Sequence, residues 1–176
     1  MRRLFEFLII IAAVAAAAWV LYHSIHNENS TSTGTIEVDA IAPEFEITTL
    51  TGEKVQLKDY RGQRVLINFW ASWCKPCVRE MPLLNNLHTS SNSQVETLFI
   101  NVGESKATVS DYLKDHQFSL PAAIDVTGRI SNLYGVAALP ATFIIDGEGH
   151  IRNAILGEIT DFTLLQEWLN ITDSVN

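Results

Sequence analysis

Apolar and polar positions along the chain alternate in ways that mark out a short series of elements. The run Arg64–Trp70 is of strand length and almost unbroken in apolar character, as expected for a strand covered on both faces. Val95–Val102 predicts a second strand of the same kind. Between them Met81, Leu84, Leu87 and His88 recur at helical spacing, and Pro82 inside that pattern removes one backbone hydrogen bond and predicts a kink. Upstream, residues 45–47 and 55–57 alternate on either side of Thr51-Gly52 and read as a hairpin at a sheet edge, followed by a surface turn over 58–62. Downstream, residues 106–116 form an amphipathic pattern with Val109, Tyr112 and Leu113 on the apolar side. Residues 120–124 suit a short edge segment, where Pro121 is tolerable, and 129–134 a short helix. Residues 142–146 and Ile151–Leu156 flank Gly147-Glu148-Gly149, a hairpin turn. Thr160 is placed to cap a terminal helix whose apolar face holds Phe162, Leu164, Leu165, Trp168 and Leu169. The order predicts an α/β domain: a mixed central sheet with helices on both faces and an N-terminal β-hairpin extension.

The first residues follow a different pattern. Residues 4–22 are apolar apart from Glu6, and this stretch, at about 1.5 Å per residue, nearly matches the ~30 Å hydrocarbon layer of a membrane. Arg2 and Arg3 precede it, which orients residues 1–3 to the cytoplasm and everything after 22 to the outside. A cleaved signal peptide is the competing reading, because Ala16-Ala17-Ala18 offers a cleavage site. An uncleaved anchor is favoured, since Trp19-Val20-Leu21-Tyr22 continues the apolar run with interfacial aromatics. Residues 23–35 are polar, rich in Ser, Thr and Asn, and read as a tether to a domain over 36–176.

Composition narrows the function. The chain has 176 residues, 47% of them hydrophobic, which gives one ordinary domain with a sizeable core. A net charge of −8 leaves no basic patch for nucleic acid. There are two cysteines, and they stand together in Trp73-Cys74-Lys75-Pro76-Cys77, between the first buried strand and the helix. The spacing puts both thiols on one face of the first helical turn, with Cα atoms near the roughly 5–6 Å of a disulfide. No second cysteine pair exists and the five histidines are scattered, so a metal site is not expected. Val78 stands where haem attachment would need histidine, and so small a loop makes a poor structural staple. Redox chemistry remains. Cys74, at the helix mouth, faces unsatisfied N–H groups and the positive dipole end, which favour thiolate and make it the expected nucleophile, with Cys77 as resolving thiol. Pro76 suits the first turn, where its missing N–H has no helical partner, and the pair falls at the carboxyl end of a central strand.

Phe69-Trp70-Ala71-Ser72-Trp73-Cys74-Lys75-Pro76-Cys77, with Leu139-Pro140-Ala141-Thr142-Phe143 before the last hairpin, resembles the thioredoxin-fold oxidoreductases over about 36–170. With the membrane stretch, Glu80 and 101–106, it is more narrowly similar to the anchored ResA family, which reduces disulfides in apocytochrome c so that haem can be attached. The resemblance implies a thioredoxin fold and a redox-active Cys74–Cys77 disulfide in place of any cofactor. It implies a cis bond at Pro140 with the Leu139 backbone free to pair with a substrate strand, and substrate contacts from Trp73, Lys75 and Pro76. Cytoplasmic thioredoxins carry an aspartate where this chain has Asn68, an amide that cannot take a proton, so Glu80, three residues from Cys77 on the same helix face, becomes the expected proton carrier. Glu104, just past the second strand, is a candidate for the same cavity. A CcdA-type membrane protein is the implied electron donor. Two alternatives stay open: an oxidant or isomerase of secreted proteins, which Lys75 beside Cys74 would favour, and a thioredoxin-like module that only binds a partner.

Overall fold

The computed structural model describes residues 13–19, 37–90 and 95–171. Two short strands, β1 (Glu46–Thr48) and β2 (Lys54–Gln56), pair antiparallel, and five more make the main sheet: β3 (Arg64–Trp70), β4 (Val95–Val102), β5 (Ala122–Asp125), β6 (Ala141–Ile145) and β7 (Ile151–Leu156). The main sheet runs in the order β5-β4-β3-β6-β7, with β3, β4 and β5 parallel and β6 and β7 antiparallel to their neighbours. It is therefore mixed, and β3 is central. Six of the seven β3 residues, from Val65 to Trp70, are buried, which is why the sequence shows no polar alternation there.

Side chains of β3 leave the sheet in two directions and meet two cores. Leu66 and Trp70 pack with Phe99 against Met81, Leu84 and Leu87 of α1 (Lys75–Thr89), Val109 and Leu113 of α2 (Lys106–Asp115), and Leu165 and Leu169 of α4 (Phe162–Ile171). Val65, Ile67 and Phe69 pack with Phe143 of β6, Ile130 of α3 (Arg129–Leu133) and Tyr134 just after that helix, and with Phe45, Ile47 and Leu57 from the N-terminal segment. Among the described residues helices cover both faces, though unequally: α1, α2 and α4 on one, and α3 with the β1–β2 hairpin on the other. The hairpin is tied to the edge strand by a Thr49–Ala123 bridge and by the Leu50 N–H donating to the Ala122 carbonyl at 2.9 Å. Burying each large aliphatic or aromatic side chain of these cores is worth about 1.5–3 kcal/mol, set against the entropy of ordering it.

Several local expectations shift by a residue or change character. The turn over 58–62 is a 3-10 turn at Leu57–Tyr60 that buries Leu57. The short edge strand begins at Ala122, and Pro121 just before it needs no N–H there, pairing with β4 only through its carbonyl, which accepts from the Phe99 N–H at 3.1 Å. Helix α1 runs through Pro82 as one element. The cap of α4 is Asp161, not Thr160: Asp161 Oδ1 accepts from the N–H groups of Thr163 and Leu164 at 2.7 and 3.2 Å. Both residue types cap well, and the helix simply starts one residue later. Residues 13–19 are helical, and no helix among the described residues is long and apolar enough to cross a membrane. The rest of the expected span 4–22, residues 1–3 and nearly all of the tether lie outside the described residues.

Topology decides where chemistry can occur. Parallel β3, β4 and β5 end on the same side of the sheet, and antiparallel β6 starts there, Phe69 facing Ala141. The loop before Cys74, the loop holding Glu104, the Leu139-Pro140 pair and the turn after β7 all gather at that edge.

Candidate active site

Ala71, Ser72 and Trp73 carry the chain from β3 into α1, and Cys74 is the helix N-cap, in an extended conformation. The cysteines form a disulfide with Cα atoms 5.2 Å apart, as the spacing predicts. Cys74 Sγ accepts from the Cys77 N–H at 3.3 Å. The same N–H favours negative charge on that sulfur once the bond is reduced, together with the helix dipole. Cys77 is wholly buried and Cys74 keeps 5% of its surface, so Cys74 is the sulfur that a partner can approach, although the approach is narrow. Trp73 beside it is 69% exposed, Lys75 is exposed and Pro76 half-buried, which makes these three the outward rim of the site.

Glu80 lies on the next turn, with only 1% of its surface exposed. Its Oε1 accepts from Asn68 Nδ2 at 2.9 Å and its Oε2 from the Ile159 N–H at 2.8 Å. Burial pushes its carboxyl up to about 7; the two hydrogen bonds pull the other way, and the charge of Glu158 adds a smaller push. Glu158 is itself held low by a forked contact from Arg79, across the top of α1. A carboxyl poised near neutral pH, one helical turn from the resolving thiol, can take and return a proton. Asn68 also donates to Thr142 Oγ1 at 2.9 Å.

Leu139-Pro140 is a cis peptide. The Pro140 carbonyl accepts from the Gly157 N–H at 2.9 Å, whereas neither backbone group of Leu139 is hydrogen-bonded among the described residues. Glu104 has a different role from the one expected. One oxygen accepts from the Ser72 N–H at 2.6 Å and from Asn101 Nδ2 at 2.7 Å, the other from the Ser72 hydroxyl at 2.5 Å. Its carboxylate is fully engaged in fixing the loop in front of Cys74. A groove of about 550 Å³ does lie beside α1, but Arg79, Pro82, Leu83 and Phe162 are among the residues that line it, and Glu104 is not.

Residues 38–154 match the model of the AhpC/TSA family. The chain belongs to that family. Among AhpC/TSA relatives, it is 38% identical over 153 residues to the thiol-disulfide oxidoreductase ResA of Geobacillus kaustophilus (strain HTA426), covering 86% of each protein. It is 31% identical over 165 residues to ResA of Bacillus subtilis (strain 168), covering 93% of this chain and 89% of that one. Among solved structures it is similar to a putative thiol:disulfide interchange protein DsbE from Chlorobium tepidum, with TM-score 0.72 and 27% identity, covering 78% of this chain and 98% of that one. The fold is that of thioredoxin, and this AhpC/TSA member is a thiol-disulfide oxidoreductase of the ResA and DsbE type, with Cys74–Cys77 as its disulfide.

Thr142 and Ile159 escaped the sequence reading. Thr142 reads as an ordinary strand residue, and Ile159 acts through its main chain, which leaves no trace in residue type.

Proposed function

We propose that this oxidoreductase works as a reductase outside the cytoplasm, held to the membrane through residues 4–22, and that its substrate is the disulfide in the CxxCH motif of apocytochrome c. The observation that carries this reading is the buried Glu80 beside Cys77, a proton store that serves a cycle in which a thiol must be deprotonated and a product thiol protonated. In the reduced enzyme the Cys74 thiolate attacks one sulfur of the substrate disulfide. The other substrate sulfur leaves as a thiolate and a mixed disulfide forms. Cys77 then gives its proton to Glu80 and attacks the Cys74 sulfur, which releases the second substrate thiolate. The enzyme is left with the Cys74–Cys77 disulfide, and two electrons have passed to the substrate. The proton on Glu80 leaves with the product. The unpaired Leu139 backbone supports a substrate strand docking next to the cysteines, with Trp73, Lys75 and Pro76 as the rim it meets. No cofactor enters this cycle; a CcdA-type membrane protein is proposed to return the electrons.

The test is to replace Cys77 with Ala, trap the mixed disulfide on Cys74 in cells, and identify the partner by mass spectrometry. Apocytochromes carrying CxxCH are the expected catch. Recovery only of other secreted proteins would favour an oxidant or isomerase. Protease added to intact protoplasts should remove the domain over 36–176 while the anchor stays in the membrane; a mature protein found free in the medium would remove the anchor from the proposal.

A further inference from the structure

Residues 157–161 join β7 to α4 without belonging to either element. Three consecutive residues tie that connection down beside the active site. The Gly157 N–H donates to the Pro140 carbonyl at 2.9 Å, Glu158 takes the forked contact from Arg79, and the Ile159 N–H donates to Glu80 Oε2 at 2.8 Å. The last two ties run side by side, because Arg79 and Glu80 are neighbours on α1 while Glu158 and Ile159 are neighbours in the turn. The outer tie is ionic and at the surface, with the Arg79 side chain 60% exposed. The inner one is buried with Glu80.

Geometry makes the outer tie directional. Arg79 Nε donates to both Glu158 oxygens, at 3.0 and 3.1 Å, and Nη2 donates to Oε2 as well. A planar guanidinium meeting a carboxylate along its fork fixes orientation as well as distance. The N–H that reaches Glu80 belongs to the peptide unit between Glu158 and Ile159, so its direction depends on where both residues are held. Ile159 is held by its side chain, which packs in the core with Leu165, but apolar packing is non-directional and does not by itself aim a peptide. The groove beside α1 is lined by Arg79, Glu158 and Ile159 together, so a turn that lifted off the helix would open Glu80 toward it.

We propose that Arg79 and Glu158 are positioning residues for Glu80: their ion pair latches the turn after β7 onto α1, aims the Ile159 N–H at Oε2 and keeps water from the acid. The groups around Glu80 are Arg79 and the disulfide-bonded Cys77 on its own helix, Glu158 and the Ile159 peptide from the turn, and the neutral Asn68 amide from the sheet. Burial is the largest influence on the Glu80 carboxyl and the Ile159 N–H the next, acting against it. Water entering a lifted turn replaces that hydrogen bond but not the burial, so losing the latch lowers the titration midpoint. Losing the Arg79 charge alone acts in the other direction, because it leaves Glu158 bare and disfavours a second carboxylate. The bearing of the latch on turnover rests on the reading of Glu80 as the proton carrier for Cys77, but its test does not involve catalysis. Failure of the test leaves the trapping experiment untouched, and the reverse also holds.

The experiment uses the full-length oxidised protein, in which the cysteines do not titrate, and follows the Glu80 carboxyl carbon against pH by NMR in wild type and in Arg79→Met. Methionine keeps a long unbranched stem and a similar helix propensity, and it removes the fork. The midpoint should fall by about half a unit or more, a change of about threefold in the acid equilibrium. A midpoint that is unchanged or higher overturns the proposal. Hydrogen exchange of the Ile159 amide in the same two proteins is the second measurement, with the amides of β3 as the control on the fold. The Ile159 N–H should exchange about threefold faster or more in Arg79→Met while β3 keeps its wild-type protection. Loss of the charge alone would slow this exchange, since hydroxide catalyses it and a cation has gone. An Ile159 amide that exchanges at the wild-type rate or more slowly would show that core packing already holds the turn, and it refutes the latch.

Discussion

Glu80 should make the stability of the oxidised protein fall as the solution becomes alkaline. Its carboxyl is pushed from 4.5 up to about 7 by burial, so between those values the folded protein holds a proton that the unfolded chain has released. For an acid whose folded pKa is raised, stability is greatest below the unfolded value and declines as pH rises toward the folded one. The shift is roughly 2.5 units, each unit is about 1.36 kcal/mol, and the full penalty is therefore about 3.4 kcal/mol, of which about 2.5 falls between about pH 5 and about pH 8. With 1% of its surface exposed, Glu80 needs no discount for solvent screening. Glu80→Gln removes the titration and keeps the shape; its amide oxygen can accept from the Ile159 N–H, while its NH2 faces the Asn68 Nδ2 donor, an offset that does not change with pH. Urea unfolding of both proteins across that range gives the comparison, since every other titrating group is shared. The Gln variant should gain on wild type by about 2–3 kcal/mol on going from acid to alkali. Parallel curves would mean that Glu80 does not titrate in this window. A wild type that gains on the variant as pH rises would mean that its pKa is lowered, and the account of its burial would be wrong.

After reduction, Cys74 should be alkylated faster than Cys77 near neutral pH, because it keeps some exposure and sits at the helix mouth; equal or reversed rates would reassign the nucleophile. Glu104→Ala should cost about 2 kcal/mol and lower turnover, since three hydrogen bonds to the Ser72 loop and Asn101 disappear, and Glu104→Gln should lose less. Unfolding and turnover assays that find the Ala variant equal to wild type would make that strap idle. Asp161→Ala should cost about 1 kcal/mol and Thr160→Ala less than about 0.5 by denaturant unfolding, and the opposite order would return the cap to Thr160.

What the sequence made legible depended on how local each signal was. β3 and β4 were plain because burial on both faces suppresses polar alternation over six and five consecutive residues, from Val65 to Trp70 and from Thr97 to Asn101. The cysteine pair was plain because two residues of spacing and a helix start define its geometry by themselves. Glu80 could be placed near Cys77 by helical spacing, but its burial could not, because the groups that enclose it come from elsewhere: Thr142, which shares Asn68 with it, is 74 residues from Asn68, and the Ile159 N–H is 79 residues from Glu80. Glu104 was legible as a residue at the end of a strand. That it would reach back to Ser72 depends on the parallel register of β3 and β4, which puts Trp70 opposite Asn101. Pro140 alone indicated only a strand entry; its cis bond came from the resemblance to known oxidoreductases.

The grip on Glu80 Oε2 comes from a peptide N–H, and every residue except proline carries that group. Changes of letter at Leu83 or Thr160, which border the groove beside α1, therefore leave this half of the proton store in place as long as the chain keeps its path. The rim of that groove is set by side-chain identity, whereas the hold on Glu80 Oε2 is set by the course of the backbone. Substitutions along that rim, outside the Arg79–Glu158 pair, can therefore alter what the groove presents while the Ile159 peptide still meets the acid.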